Sequence, residues 1–211
     1  MSLARLLQLA SPTLPVGAYS YSQGLESAIE CGFVIDEKSA ERWIGDVLRF
    51  SVATMDAPIL HRMMVEPESL ERWNDLFLAT RETAELRAET LQMGHSLCAL
   101  LKDFGMETKS GPTLAFPAAF ALAAAHWTLP AHESLVAYLW GWLENQVMAA
   151  LKAVPLGQTA GQRILLSLGN SLETIAQQAR SLQEDEWSNF APGLAFLSSR
   201  HETQYSRLFR S

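Results

Sequence analysis

Apolar residues recur at intervals of three and four along nearly the whole chain, the spacing that places side chains on one face of an α-helix. Between Asp36 and Ser51 they fall at Ala40, Trp43, Ile44, Val47 and Leu48, and Asp36 stands where a capping side chain is wanted. Pro58 follows closely, so this helix is expected to kink or restart before Ile59, Leu60, Met63 and Met64, with another beginning near Pro67. From Glu82 to Phe104 two stripes run side by side: Ala84, Ala88, Leu91, His95 and Cys98, then Leu86, Met93, Leu97, Leu100 and Phe104. A helix apolar on two sides is buried on both, which predicts that this one is central. Leu135, Leu139, Leu143, Val147 and Leu151 mark a further helix ended by Pro155 and Gly157. Leu165, Leu168, Leu172, Ile175, Ala179 and Leu182 keep heptad spacing through the next. No stretch alternates with period two for long enough to predict a sheet. The expected fold is all-α, a single multi-helix domain packed around a central helix.

Composition agrees. Leucine and alanine number 60 against 14 valines and isoleucines, which favours helix on side-chain entropy grounds. A chain of 211 residues, 48% hydrophobic, can bury a full core. The net charge of −7 argues against nucleic acid as a partner, since phosphate neutralisation needs a basic face. Cys31 and Cys98 stand in no disulfide or metal-binding spacing, and no secretory signal opens the chain; the cytoplasm is the expected compartment. Ser110 to His132 carries no formal charge, yet Pro112, Pro117, His126 and Pro130 interrupt it. That predicts a buried helix of about 14 residues rather than a membrane span.

Charge changes late in the chain. Glu184, Asp185 and Glu186 form an acidic turn, after which residues 194–211 hold Arg200, Arg207 and Arg210 against Glu202 alone. This divides the expected organisation into a helical domain, 1–193, and a basic, aromatic C-terminal docking segment, 194–211. A chain cut before Leu194 is expected to keep its helical content and to lose partner capture.

Reactive chemistry finds little support. No two histidines lie three or four residues apart, and His95 with Cys98 read as core residues on an apolar stripe. Gly157, Gly161, Gln162 and Arg163 miss both the glycine spacing and the lysine of a phosphate loop, so that stretch reads as a helix entry. No nucleophile elbow is present, and no catalytic residue is assigned.

Two segments exceed that background. Leu14 to Glu26 joins a rigid bend at Pro15 and Gly17 to two tyrosines, two serines, Gln23 and Glu26, with Ser20 and Gln23 at capping-box spacing for the helix carrying Leu25 and Ile29. Tyr19, Ser20, Ser22, Gln23 and Glu26 are the candidate recognition residues there. The C-terminal segment sets Tyr205, Leu208 and Phe209 among arginines, a mixture typical of interface hot spots. Arg200, His201, Glu202, Tyr205, Arg207, Leu208 and Phe209 are its candidates. Arg81, Glu82, Glu85, Arg87 and Glu89 read either as a solvated helix face or as a binding patch, and Lys152 as a dipole lysine or a charge offered to a partner.

The Leu-Pro-Val-Gly-Ala-Tyr-Ser-Tyr-Ser-Gln-Gly-Leu-Glu run, the Arg-Glu-Thr-Ala-Glu-Leu-Arg stretch, Lys152 with Val154-Pro155-Leu156-Gly157-Gln158, and the ending from Ser198 to Ser211 together resemble the urease accessory protein family UreF. Ala18 departs from it, where a second glycine after Gly17 is common. The resemblance implies an all-α, often dimeric, cytoplasmic and non-enzymatic assembly factor. It would join UreD (also called UreH) and the GTPase UreG on apo-urease and assist GTP-dependent nickel insertion. It implies no tightly bound cofactor, with nickel at most transient. The alternatives are a direct nickel-binding metallochaperone, and a regulator of the partner GTPase acting through Arg200 or Lys152.

Overall fold

A computed structural model of the protein describes residues 2–106 and 114–211. Among these residues the chain is helical, with no strand. The helices are α1 (Ser2–Ala10), α2 (Leu25–Glu30), α3 (Glu37–Val47), α4 (Ala57–Val65), α5 (Leu70–Ala79), α6 (Ala84–Asp103), α7 (Phe116–His126), α8 (Ala131–Ala153), α9 (Gln158–Gly169), α10 (Leu172–Ser181) and α11 (Pro192–His201). No helix among the described residues is long and apolar enough to cross a membrane.

Local chemistry sets the boundaries. Asp36 caps α3 through a capping box: its carboxylate accepts from the Ser39 backbone N–H at 2.8 Å, and Ser39 Oγ accepts from the Asp36 N–H. As expected, the helix changes form near Pro58: the chain widens into a π-helix, Leu48–Asp56, and restarts as α4 with Pro58 in its first turn. Pro67 opens a 3₁₀ turn ahead of α5. The heptad run expected as one helix is two. Gly169, Asn170 and Ser171 break it, and Ser171 turns its N–H and its hydroxyl back onto the Leu168 carbonyl.

The centre of the molecule is α8, not α6. Leu135, Leu139 and Leu143 are wholly buried, and the helix packs against α1, α2, α3, α4, α9 and α10. Helix α6 packs chiefly on α7. Its Leu86, Met93 and Leu97 face the core, whereas the second stripe lies outward: Ala84, Ala88 and His95 are exposed and Cys98 is half-buried. Alanine tolerates either environment, so that stripe carried no directional information. Gly94 permits the α6–α7 contact, because a Cβ there would sit 2.0 Å from the Leu114 carbonyl oxygen. Of the alanine-rich 110–132 stretch, residues 110–113 lie outside the described residues; the rest forms the buried α7 and the entry to α8.

The expected boundary at 193/194 falls inside α11. Leu194, Leu197, Ser198, His201, Phe209 and Ser211 are all buried, so residues 194–211 close the core rather than extend from it. A cut before Leu194 therefore removes part of the fold, contrary to the expectation from charge alone.

Candidate functional site

The two signature segments meet, although nearly the whole chain separates them. Gly17 is left-handed (φ 79°) and leads into a 3₁₀ turn, Ala18–Ser20. Gln23 (φ 52°) and Gly24 (φ 77°) are then left-handed in succession. This double reversal makes Gly24, not Ser20, the residue before α2, and it swings the Gln23 side chain inward. Ser20 and Gln23 thus form no capping box; Ser22 Oγ accepts weakly from the Glu26 N–H at 3.3 Å. A non-glycine residue in this region is strained by about 1 kcal/mol, and the side-chain bonds of Gln23 hold it there.

The inner contact is a polar knot. Gln23 Oε1 accepts from the Trp142 indole at 2.8 Å and from Gln146 at 3.3 Å. Because the indole only donates, the Gln23 amide N–H must point the other way, and it donates to Glu89 Oε1 at 2.6 Å. Ser211 Oγ donates to Glu89 Oε2 at 2.6 Å, and the Ser211 backbone oxygen accepts from both the N–H and the hydroxyl of Ser22. Arg210 N–H donates to the Ser20 carbonyl. Glu89 is fully enclosed. Burial pushes its carboxyl up to about 7, with the bonds from Ser211 and Gln23 opposing the rise.

Outside this knot lies a charged lattice. Glu26 accepts from the backbone N–H groups of Leu208 (2.6 Å) and Phe209 (2.9 Å). The buried ring of His201 spans two carboxylates, Nδ1 to Glu85 at 2.7 Å and Nε2 to Glu26 at 3.2 Å, and Arg207 also reaches Glu85. Thr83 caps α6 by accepting from the Leu86 N–H, and Glu202 accepts from the Ala84 N–H at 3.0 Å. A helix N-terminus favours negative charge, so a residue of the C-terminal segment completes α6. Lys152, at the end of α8, donates to the Tyr19 carbonyl and lies over the rings of Tyr19 and Phe209.

Inward from the knot is a cavity of about 180 Å³ between the π-helix, α6, α7 and α8. Asp56 and Arg81 line it as a bidentate pair at 2.5 and 3.2 Å. Burial opposes the Arg81 charge, yet the adjoining carboxylate holds the guanidinium above its ordinary value. Burial also raises the Glu82 carboxyl and the Tyr138 phenol. Asp56, Tyr138, Trp142 and Gln146 are missing from the sequence reading, and Arg81 and Glu89 appear there only as part of a solvated face or patch. Helical phase held the signal: Glu89 falls between Leu86 and Met93 on the buried stripe, and Asp56 between Val52 and Ile59.

Placement of the expected recognition residues is therefore mixed. Ser22, His201 and Phe209 are buried, Ser20, Gln23 and Glu26 are half-buried, and Tyr19, Lys152, Arg200, Glu202, Tyr205, Arg207 and Leu208 are exposed. Tyr205 is fully open to solvent. Among the described residues, no group of three or more His, Cys, Asp or Glu side chains is gathered so as to hold a metal ion.

Fold and site together define an all-α protein with an aromatic, cationic outer face, secured from beneath by a buried polar knot. A profile of the family UreF matches residues 34–169. Among similar proteins, the urease accessory protein UreF of Azoarcus sp. (strain BH72) is 56% identical, with 100% of this chain and 96% of that protein covered. Those of Dechloromonas aromatica (strain RCB) and Janthinobacterium sp. (strain Marseille) are each 50% identical, with 100% of this chain and 98% of each relative covered. The chain belongs to the UreF family. The profile match leaves both signature segments outside it, whereas these full-length relatives include them.

Proposed function

We propose that the chain is a urease accessory protein that acts by contact: a cytoplasmic, non-enzymatic scaffold that joins UreD/UreH and the GTPase UreG on apo-urease and assists GTP-dependent nickel insertion. Nickel is cargo of the assembly, at most transient here, and the chain works as a homodimer. The observation that carries this reading is the fusion of the two signature segments into one face, with Tyr19, Lys152, Arg200, Tyr205, Arg207 and Leu208 outward. Arginine and tyrosine dominate binding energy at protein interfaces, because guanidinium pairs bidentately and a rigid ring loses little entropy on contact. Holding that face on a hydrogen-bonded base pre-organises it, which lowers the ordering cost of association.

Urease maturation tests the reading. Cells that carry urease and the companion accessory proteins but lack this chain should regain urease activity when it is supplied. The Tyr205→Ala/Leu208→Ala double variant should restore little, though expressed and folded. Full maturation without the chain would refute the role. A chelator-resistant, stoichiometric nickel site in the purified chain would instead favour the direct metallochaperone.

A further inference from the structure

Among the described residues, Glu89 is the one acidic side chain in the knot between the signature segments, and no cationic side chain is hydrogen-bonded to it. Both of its contacts are neutral donors, Gln23 Nε2 and Ser211 Oγ. The two differ in what they can become. The Gln23 amide is locked as a donor by Trp142, whereas a hydroxyl can donate or accept. A protonated Glu89 therefore has one place for its proton, Oε2, from which it donates to Ser211 Oγ without movement of either segment. The ionised form must instead remain as a buried charge held by two neutral hydrogen bonds.

The charged groups facing Glu89 relieve that charge only in part: Arg81 favours the ionised form through space, Asp56 opposes it, and neither is hydrogen-bonded to the carboxylate. On the cavity side, the Arg81 guanidinium is committed to Asp56, and Glu82 lines the same cavity. Tyr138 faces it from α8 and Tyr21 from the loop, with the Arg210 charge beside Tyr21. Toward solvent, His201 and Arg207 are engaged by Glu26 and Glu85. Lifting the end of the C-terminal segment removes Ser211 from the knot and opens Glu89 to water, where the ionised form is stable. Seating of the segment and proton uptake are thus linked.

We infer that Glu89 is a proton-controlled latch: it holds residues 204–211 on the 19–26 loop when protonated and releases them when ionised. The carboxyl's position near 7 puts the transition in the neutral range. Release would separate Tyr205 and Leu208 from Tyr19 and Lys152, so the latch sets whether the outer face exists as one surface. The inference concerns the fold of this chain alone and does not depend on the partners proposed above.

The test is amide hydrogen exchange of the full chain, read at Ser22, Leu208, Phe209 and Arg210, whose N–H groups make the seating bonds. After correction for intrinsic exchange, protection should fall about tenfold between pH 6 and pH 8. In Glu89→Gln, whose amide donates to Ser211 Oγ and accepts from Gln23 as the protonated acid does, it should change less than about twofold. Ser211→Ala, which removes one donor to the ionised form, should move the midpoint to higher pH. A flat profile in the parent chain, or an undiminished slope in Glu89→Gln, would overturn the latch. An unshifted midpoint in Ser211→Ala would also count against it, even if Glu89→Gln failed to fold.

Discussion

Single residues decide the interior of this protein more than its surface. Arg81 and Asp56 are nearly enclosed and answer one another; Asp56→Asn leaves the guanidinium buried without its counter-charge, at a cost of about 3–5 kcal/mol. Thermal unfolding should show Tm lower by roughly 6–15 °C; a drop under about 2 °C would mean that water already reaches the pair. Glu89 acts in the opposite sense, since its ordinary value is 4.5 and its folded value about 7. The folded chain binds this proton more tightly than the unfolded one. Its contribution to stability is fully present below about 4.5 and is lost as pH rises to about 7. The loss is on the order of 3 kcal/mol, so Glu89→Gln should flatten the denaturant-unfolding profile over that window and exceed the parent in stability at pH 8. Glu89 was not legible as buried when the charges of α6 were read as a solvated face or a binding patch, and Asp56 was not singled out at all. Phase on the helix places both Glu89 and Asp56 inside, and in a buried stripe position outweighs charge.

Elements were legible where their punctuation was chemical. Asp36 and Pro58 marked the start of α3 and the start of α4, and Asp36→Ala should remove about 1 kcal/mol by loss of the cap, measurable in urea. Heptad spacing alone was not enough at 165–182, because Gly169, Asn170 and Ser171 end one helix between leucines that keep the period. The double left-handed turn at Gln23 and Gly24 also escaped, since only the glycine advertises such a backbone. Gln23→Ala should be destabilising through loss of the bonds to Glu89, Trp142 and Gln146. The C-terminal segment shows the limit of reading by composition: three arginines in 194–211 suggested a docking segment separate from the helical domain, but Glu202 caps α6 and Glu26 holds Leu208 and Phe209. A chain ending at His201 should melt earlier, because it loses the Glu202 cap of α6 and the bonds to Glu26 on α2, while an undiminished melt would show that these contacts contribute nothing.

At the scale of the molecule, the helical class was written in the three-and-four spacing, but the identity of the central helix was not. Alanine made α6 look apolar on two sides, whereas α8 holds the centre, packed against α1, α2, α3, α4, α9 and α10. The same architecture carries the two signature segments to one place, so residues that separately looked like a helix entry and a tail form one surface. Beneath that surface Gln23, Glu89 and Ser211 bond to one another, and beside them Glu26 holds Leu208 and Phe209. The most direct test is capture of UreD/UreH, and of UreG through it, by the tagged full chain, set beside its Tyr205→Ala/Leu208→Ala variant. Both side chains are exposed, so the variant should melt within about 2 °C of the parent. Docking through the joined face predicts that capture falls at least about tenfold, the loss of one hot spot or more. Capture equal to that of the parent, with the fold unchanged, would contradict it.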